Sequence, residues 1–138
     1  MSKLFIDTNI LIYSIDEDSK FYVKSQELIF NSRFDLYTSS KNISEFLSVV
    51  TRVPASFLPI KNALEVIEDF VSIFTLLYPT ESSFSIFKGL LKKYKPIGLK
   101  IHDYEIISIG LANGINQMAT FNAKDFTGID EISLIPVH

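Results

Sequence analysis

Lys3-Leu4-Phe5-Ile6-Asp7-Thr8-Asn9-Ile10-Leu11-Ile12-Tyr13 is the stretch from which the rest of the chain can be read. Leu4, Phe5 and Ile6 form a short unbroken apolar run, as expected for a strand buried on both faces of a parallel sheet. Asp7, Thr8 and Asn9 offer the side-chain oxygens that cap a helix, and Ile10, Leu11 and Ile15 follow on its inner face. A strand that ends in a carboxylate and turns at once into a helix sets that carboxylate at the carboxyl edge of a sheet, where open α/β folds bind ligands.

The alternation continues along the chain. A helix is predicted over 19–31 with Val23, Leu28 and Ile29 inward, then a strand over 34–38. Ser39 and Ser40 can cap a helix carrying Ile43, Phe46, Leu47 and Val50, and Pro54 and Pro59 bracket a break. A helix over 60–72, a strand over 74–78 and a helix from Pro79-Thr80 to Lys93 come next. Pro96-Ile97-Gly98 reads as a loop, Asp103 as the start of a helix ending at Asn113-Gly114, and 117–120 and 132–135 as the last strands. Strands alternating with helices imply an α/β three-layer sandwich around a mostly parallel sheet of four to five strands. With 138 residues and no linker, repeat or low-complexity tract, residues 1–138 are expected to form a single domain.

Composition narrows the function classes. The chain is 47% hydrophobic and 21% charged, the balance of a globular domain with a core rather than a disordered segment. It has no cysteine, which excludes disulfides, thiolate metal sites and cysteine nucleophiles. No run approaches the roughly 18 apolar residues of a membrane helix, and the N-terminal run is too short for a signal sequence. The expectation is a soluble, cytoplasmic protein without membrane contact. A net charge of −3 does not suit a general nucleic-acid coat. It leaves room for an enzyme that meets a phosphate through a cation and a local basic patch.

Four acids fall where secondary structure changes: Asp7, Glu45, Asp103 and Asp125. Asp7 and the turn 120–125 each follow a strand, while Glu45 and Asp103 lie near helix starts, so the topology sends all four to one edge. Carboxylates distant in sequence and converging in space can hold Mg²⁺ or Mn²⁺, hard ions whose chemistry suits phosphate-ester hydrolysis. Taken singly, each has an ordinary explanation: Asp7 and Asp103 as helix caps, Glu45 as a solvated helix residue, Asp125 as a turn residue. Their joint placement favours metal ligation. Thr8, Asn9 and Thr120 are placed to orient ligands or water around them. His102 adjoins Asp103 but has no second internal histidine to work with, and Tyr13 and Tyr104 read first as packing residues.

The blocks Phe5-Ile6-Asp7-Thr8-Asn9-Ile10-Leu11-Ile12-Tyr13, Ile43-Ser44-Glu45-Phe46, His102-Asp103 with its apolar helix, and Ala119-Thr120-Phe121-Asn122-Ala123-Lys124-Asp125-Phe126 resemble, in order, those of PIN-domain proteins. The likeness is to the small VapC-type toxins of toxin–antitoxin pairs. It implies a metal-dependent endoribonuclease that cuts single-stranded or looped RNA, with a VapB-type antitoxin as partner and a homodimeric assembly. Asp7, Glu45 and Asp103 match three acidic positions of the family. The fourth is either Asp125, the acid present, or the position of Asn122, which in this chain is a neutral ligand or hydrogen-bond partner. Tyr104-Glu105 follow Asp103 where the family often has small apolar residues, so Glu105 either crowds the site or faces solvent. The region 43–72 is the expected docking groove for the antitoxin. A solitary PIN nuclease of RNA processing and a catalytically inactive RNA- or protein-binding PIN module are the alternatives. A haloacid-dehalogenase-like phosphatase wants Asp where this chain has Asn9, and a response-regulator receiver wants an acid where it has Tyr78-Pro79-Thr80.

Lys88, Lys92, Lys93, Lys95 and Lys100 form the clearest basic cluster, just ahead of Asp103. It is either an RNA phosphate contact or a solvated face. Charge reversal across the cluster is expected to weaken RNA binding and flatten its salt dependence in a filter-binding titration. An unchanged salt slope would assign these lysines to the solvated face.

Overall fold

The computed structural model describes residues 2–30, 33–52 and 58–137. Strand β1 (Lys3–Ile6) leads into α1 (Thr8–Tyr13) and α2 (Tyr22–Phe30); β2 (Asp35–Ser39) is followed by α3 (Ser40–Val50) and α4 (Ile60–Ile73). Then come β3 (Thr75–Leu77), α5 (Glu81–Tyr94), α6 (Lys100–Ala112), β4 (Gln117–Ala119), a 3-10 turn (Ala123–Asp125) and β5 (Ser133–Ile135). The sheet is wholly parallel, in the order β3-β2-β1-β4-β5. The chain builds outward from β1 to β3, then returns to place β4 on the other side of β1. The order therefore reverses between β1 and β4, and the crevice beyond their carboxyl ends is the ligand position of such a sheet.

Strand alternation divides the core into two layers. Leu4 and Ile6 of β1 and Ala119 of β4 face a cluster with Ile10, Phe46 and Phe70, on the side of α1 to α4. Phe5 and Met118 face the opposite cluster with Leu90, Ile107 and Ile109, on the side of α5 and α6. Helix α6 is buried nearly all round, which lets it lie directly on the sheet. Gly110 makes that approach possible: a Cβ there would stand 3.3 Å from the ring of Phe5.

Side-chain caps set where the helices start. Ser39 caps α3 in a reciprocal arrangement with Asn42, and Thr80 caps α5 in the same way with Ser83. Asn42 is fully buried; its Nδ2 donates to Thr8 Oγ1 at 3.0 Å, and its Oδ1 accepts from the Ser39 backbone N–H and hydroxyl. This one amide ties the start of α3 to the start of α1.

The structure shifts several predicted boundaries. Helix α1 stops at Tyr13, short of Ile15, where the Ser14 hydroxyl turns back onto the Leu11 carbonyl at 2.7 Å. Helix α2 begins at Tyr22 because Ser19 accepts the Phe21 N–H and forms a turn first. Val23, expected inward, is 63% exposed, whereas Ile29 is buried. Asp103 does not start α6; the helix begins at Lys100, and Asp103 stands in its first turn. The expected break at Pro54 and helix end at Asn31 lie outside the described residues. Among the described residues no helix is long and apolar enough to cross a membrane.

Replacing Asn42 by Ala removes a cap and leaves buried partners unpaired. Urea denaturation is expected to show a loss of about 2–4 kcal/mol; a change within error would show that the link between α1 and α3 does not hold them together.

Candidate active site

The crevice between β1 and β4 is framed by backbone before side chains enter it. The Asp7 N–H donates to the Ala119 carbonyl at 3.1 Å, extending the strand pairing by one step. Asp7 and Thr120 thereby leave the sheet side by side. Asp7 Oδ1 caps α1 by accepting the Thr8 N–H at 2.9 Å, and Oδ2 accepts the Thr120 hydroxyl at 2.7 Å. Thr120 Oγ1 in turn accepts from Asn9 Nδ2 at 3.1 Å and from the Asn122 N–H at 3.0 Å. With both lone pairs taken, its single hydrogen is directed at Asp7. Asn9 completes the clamp by accepting the Phe121 N–H at 3.3 Å.

Asp7 is only 8% exposed. Burial pushes its carboxyl up to about 6; the hydrogen bonds from Thr120 and Thr8 pull the other way, and the charges of Glu45 and Asp103 push up again. Asp103, half-buried in the first turn of α6, is also raised: first by burial, then by Asp125 and Glu45, with Lys100 and His102 opposing. These mutual fields place the four acids within electrostatic reach of one another. Glu45, Asp103 and Asp125 line one cleft of about 420 Å³ together with Leu99, Lys100 and His102, and Asp7 lies buried nearby.

The oxygen-only donor set and the crowded negative charge fit a hard divalent cation. As the side chains stand, no three carboxylate or imidazole groups among the described residues are close enough to chelate one. The backbone brings the acids to one region without closing them into a chelate.

The other predicted residues divide. Thr8, Asn9 and Thr120 support Asp7 as described, and Thr8 also carries the Asn42 contact. Asn122 is exposed and reaches the site through its backbone N–H, while Asp125 ends the 3-10 turn with its carboxylate at the cleft. Glu105 neither crowds the site nor stands free; it pairs with Lys41 of α3 at 3.4 Å. His102 is exposed at the cleft rim. The lysines of the basic cluster differ in their surroundings. Lys100 lines the cleft and donates to the Asp125 carbonyl at 2.9 Å, whereas Lys93 is paired with Glu131 at 2.9 Å and Lys88 lies over the Phe84 ring. Sequence reasoning missed Asn42 and Lys41. Ser39-x-x-Asn42 has capping-box spacing and was legible; the Lys41–Glu105 pair spans the fold and had no local signal.

The PIN domain family model matches residues 4–132. The chain belongs to the PIN domain family. Its fold agrees with solved PIN domain structures. VapBC2 from Rickettsia felis, bound to a DNA fragment from its promoter, superposes with a TM-score of 0.70 at 20% identity, over 96% of this chain and 97% of that one. VapBC-1 from nontypeable Haemophilus influenzae gives 0.68 at 23% identity, over 96% of each chain. VapC20 from Mycobacterium tuberculosis, a sarcin–ricin loop cleaving toxin, gives 0.69 at 12% identity, over 88% of this chain and 92% of that one. At these identities the likeness is one of fold. No curated protein sequence matches the chain.

The raised Asp7 carboxyl gives this PIN domain a pH signature. The folded value lies near 6 against 3.8 for the free group, so ionised Asp7 destabilises the fold, and the penalty grows as pH rises between those values. Its ceiling is about 3 kcal/mol, since each pKa unit is about 1.4 kcal/mol. In EDTA, Asp7→Asn removes this charge. The stability difference between variant and wild type is expected to shift in the variant's favour from pH 4 to pH 7 by up to that amount. A difference independent of pH, measured by chemical denaturation, would show that Asp7 is not the strained group.

Proposed function

We propose that this PIN domain is a divalent-cation-dependent endoribonuclease that hydrolyses RNA phosphodiester bonds, and that it is the toxin of a type II toxin–antitoxin pair. The observation that carries the reading is the cleft of Glu45, Asp103 and Asp125 beside a buried, clamped Asp7, at the point where the strand order reverses. The fold shared with VapBC proteins and with a toxin that cleaves the sarcin–ricin loop supports it.

Asp7 and Asp103 would be the principal holders of Mg²⁺ or Mn²⁺, with Glu45 and Asp125 binding directly or through water. A bound ion would supply Lewis acidity, lowering the pKa of its water and offsetting charge on the phosphate under attack. The chain's own residues do the rest. Thr8 and Thr120 hold both Asp7 oxygens in fixed directions, so this carboxylate is preorganised. Glu45 is exposed on α3 and free to swing toward the cleft. Lys100 keeps one positive charge at the rim, where it meets an RNA phosphate.

The same reading includes a VapB-type antitoxin and a homodimer. Helix α4 supports a docking surface: Ile60, Leu64 and Val71 are 58%, 50% and 46% exposed and spaced along one face, as a partner helix in a groove requires.

Cleavage of total cellular RNA by the purified protein, in Mn²⁺, Mg²⁺ or EDTA, tests the activity beside Asp7→Asn and Asp103→Asn. Discrete cuts that need the metal and fall on the order of a hundredfold or more in both variants are expected. Cutting that survives EDTA, or that persists in a well-folded Asp7→Asn protein, would sink the assignment.

A further inference from the structure

A second cleft, of about 460 Å³, has Thr120 in its wall and is not used by the proposed reaction. Its walls include Phe21, Phe121, Leu134, Ile135 and Val137, and among the described residues Thr120 is the one lining residue with a polar side chain. The Phe21 and Phe121 rings are stacked, with centroids 4.4 Å apart and planes at 29°. Tyr13 buttresses both, at 5.0 Å and 5.5 Å. Lys20 Nζ lies 5.0 Å from the Phe21 ring centroid, and among the described residues no ion pair engages it.

We propose that this cleft is a nucleobase subsite, in which a base of single-stranded RNA flanking the scissile phosphate packs on the outer side of the Phe21–Phe121 stack and Lys20 contacts the adjoining backbone. The proposal deepens the nuclease reading above and rests on it. Three features point to a base rather than to another apolar group. The cleft is tied to the acids through one residue, since the Thr120 hydroxyl that donates to Asp7 at 2.7 Å belongs to a residue of its wall. An aromatic pair beside an unpaired cation is the combination that grips single strands, through stacking on the ring and charge on the phosphate. The volume lies within the range of small-ligand pockets. The cleft carries no base-reading code: the Thr120 hydroxyl is already committed to Asp7, Asn9 and Asn122. Recognition is therefore by stacking, tolerant of base identity, and it selects for unpaired RNA because a base inside a duplex cannot leave its neighbours without losing its own stacking.

The chain has no tryptophan, so Phe21→Trp installs a single fluorescent reporter in the cleft wall. That variant is titrated, in EDTA and separately in Ca²⁺, with a short single-stranded RNA and with the same strand annealed to its complement. Phe121→Trp serves as a second reporter if the first variant is misfolded. Saturable quenching by the single strand and not by the duplex is expected. Phe121→Leu in the Phe21→Trp background should weaken binding by roughly tenfold, and Lys20→Glu should weaken it and reduce its salt slope. Single-strand binding seen by filter retention with no tryptophan response would overturn the subsite. So would a response to a purified antitoxin but not to RNA, which would assign the cleft to a protein partner. Parallel cleavage assays on the same variants separate the two readings. Metal-dependent cutting without quenching leaves the nuclease and removes the subsite; quenching without cutting leaves the subsite and removes the nuclease. No RNA binding by either measure, together with no cutting, overturns both.

Discussion

The hydrogen bond from Thr120 to Asp7 joins residues 113 positions apart, and it exists because β1 and β4 pair in parallel and end together. Every part of the site leans on that pairing. It sets Asp7 at the mouth of the crevice, brings Asn9 under Thr120, and aims the following turn so that Asp125 returns toward Asp103. A carboxylate this buried is stabilised by two donated hydrogen bonds, yet burial outweighs them and leaves it with a raised proton affinity. The position therefore favours a proton or a neighbouring positive charge over a bare carboxylate.

The remaining acids are arranged with less rigidity. Glu45 and Asp125 are exposed, and Asp103 is half-buried on a helix packed against the sheet. Asp7 is the most deprived of water, Asp103 is partly so, and Glu45 and Asp125 keep their solvent, which moderates like-charge repulsion among the four. The same layout explains why the side chains do not already form a closed chelate. Nearby positive groups temper the field unevenly: Lys100 sits at the cleft, while Lys41 is engaged by Glu105. Exposed pairs of this kind add little to stability.

Much of the fold was legible because local chemistry and global packing agree. The run Leu4-Phe5-Ile6 announced a strand buried on both faces, and the two clusters divide its side chains as alternation requires. Ser39 capped the helix it was expected to cap, and the helix read from Pro79-Thr80 starts at Glu81 with Thr80 as its cap. Where the reading slipped, a local competitor had won: the Ser14 hydroxyl ended α1 early, and a serine turn delayed α2 and left Val23 outside. The surroundings of the lysine cluster were less legible, for a different reason. Spacing along α5 says which residues share a face, but not that Lys93 would find Glu131 across the fold.

By itself the sequence determined the alternation of strands and helices and the four acids at their junctions. Those are properties of short windows, carried by apolar periodicity and cap chemistry. Only the tertiary structure decided the strand order, and with it which junctions share a crevice. It also decided that Asp7 is buried while Glu45 and Asp125 are not, and that Phe21 and Phe121 stack beside Thr120. Burial, field and ring contact depend on partners a hundred residues away, and no local pattern encodes how far a carboxylate will be removed from water.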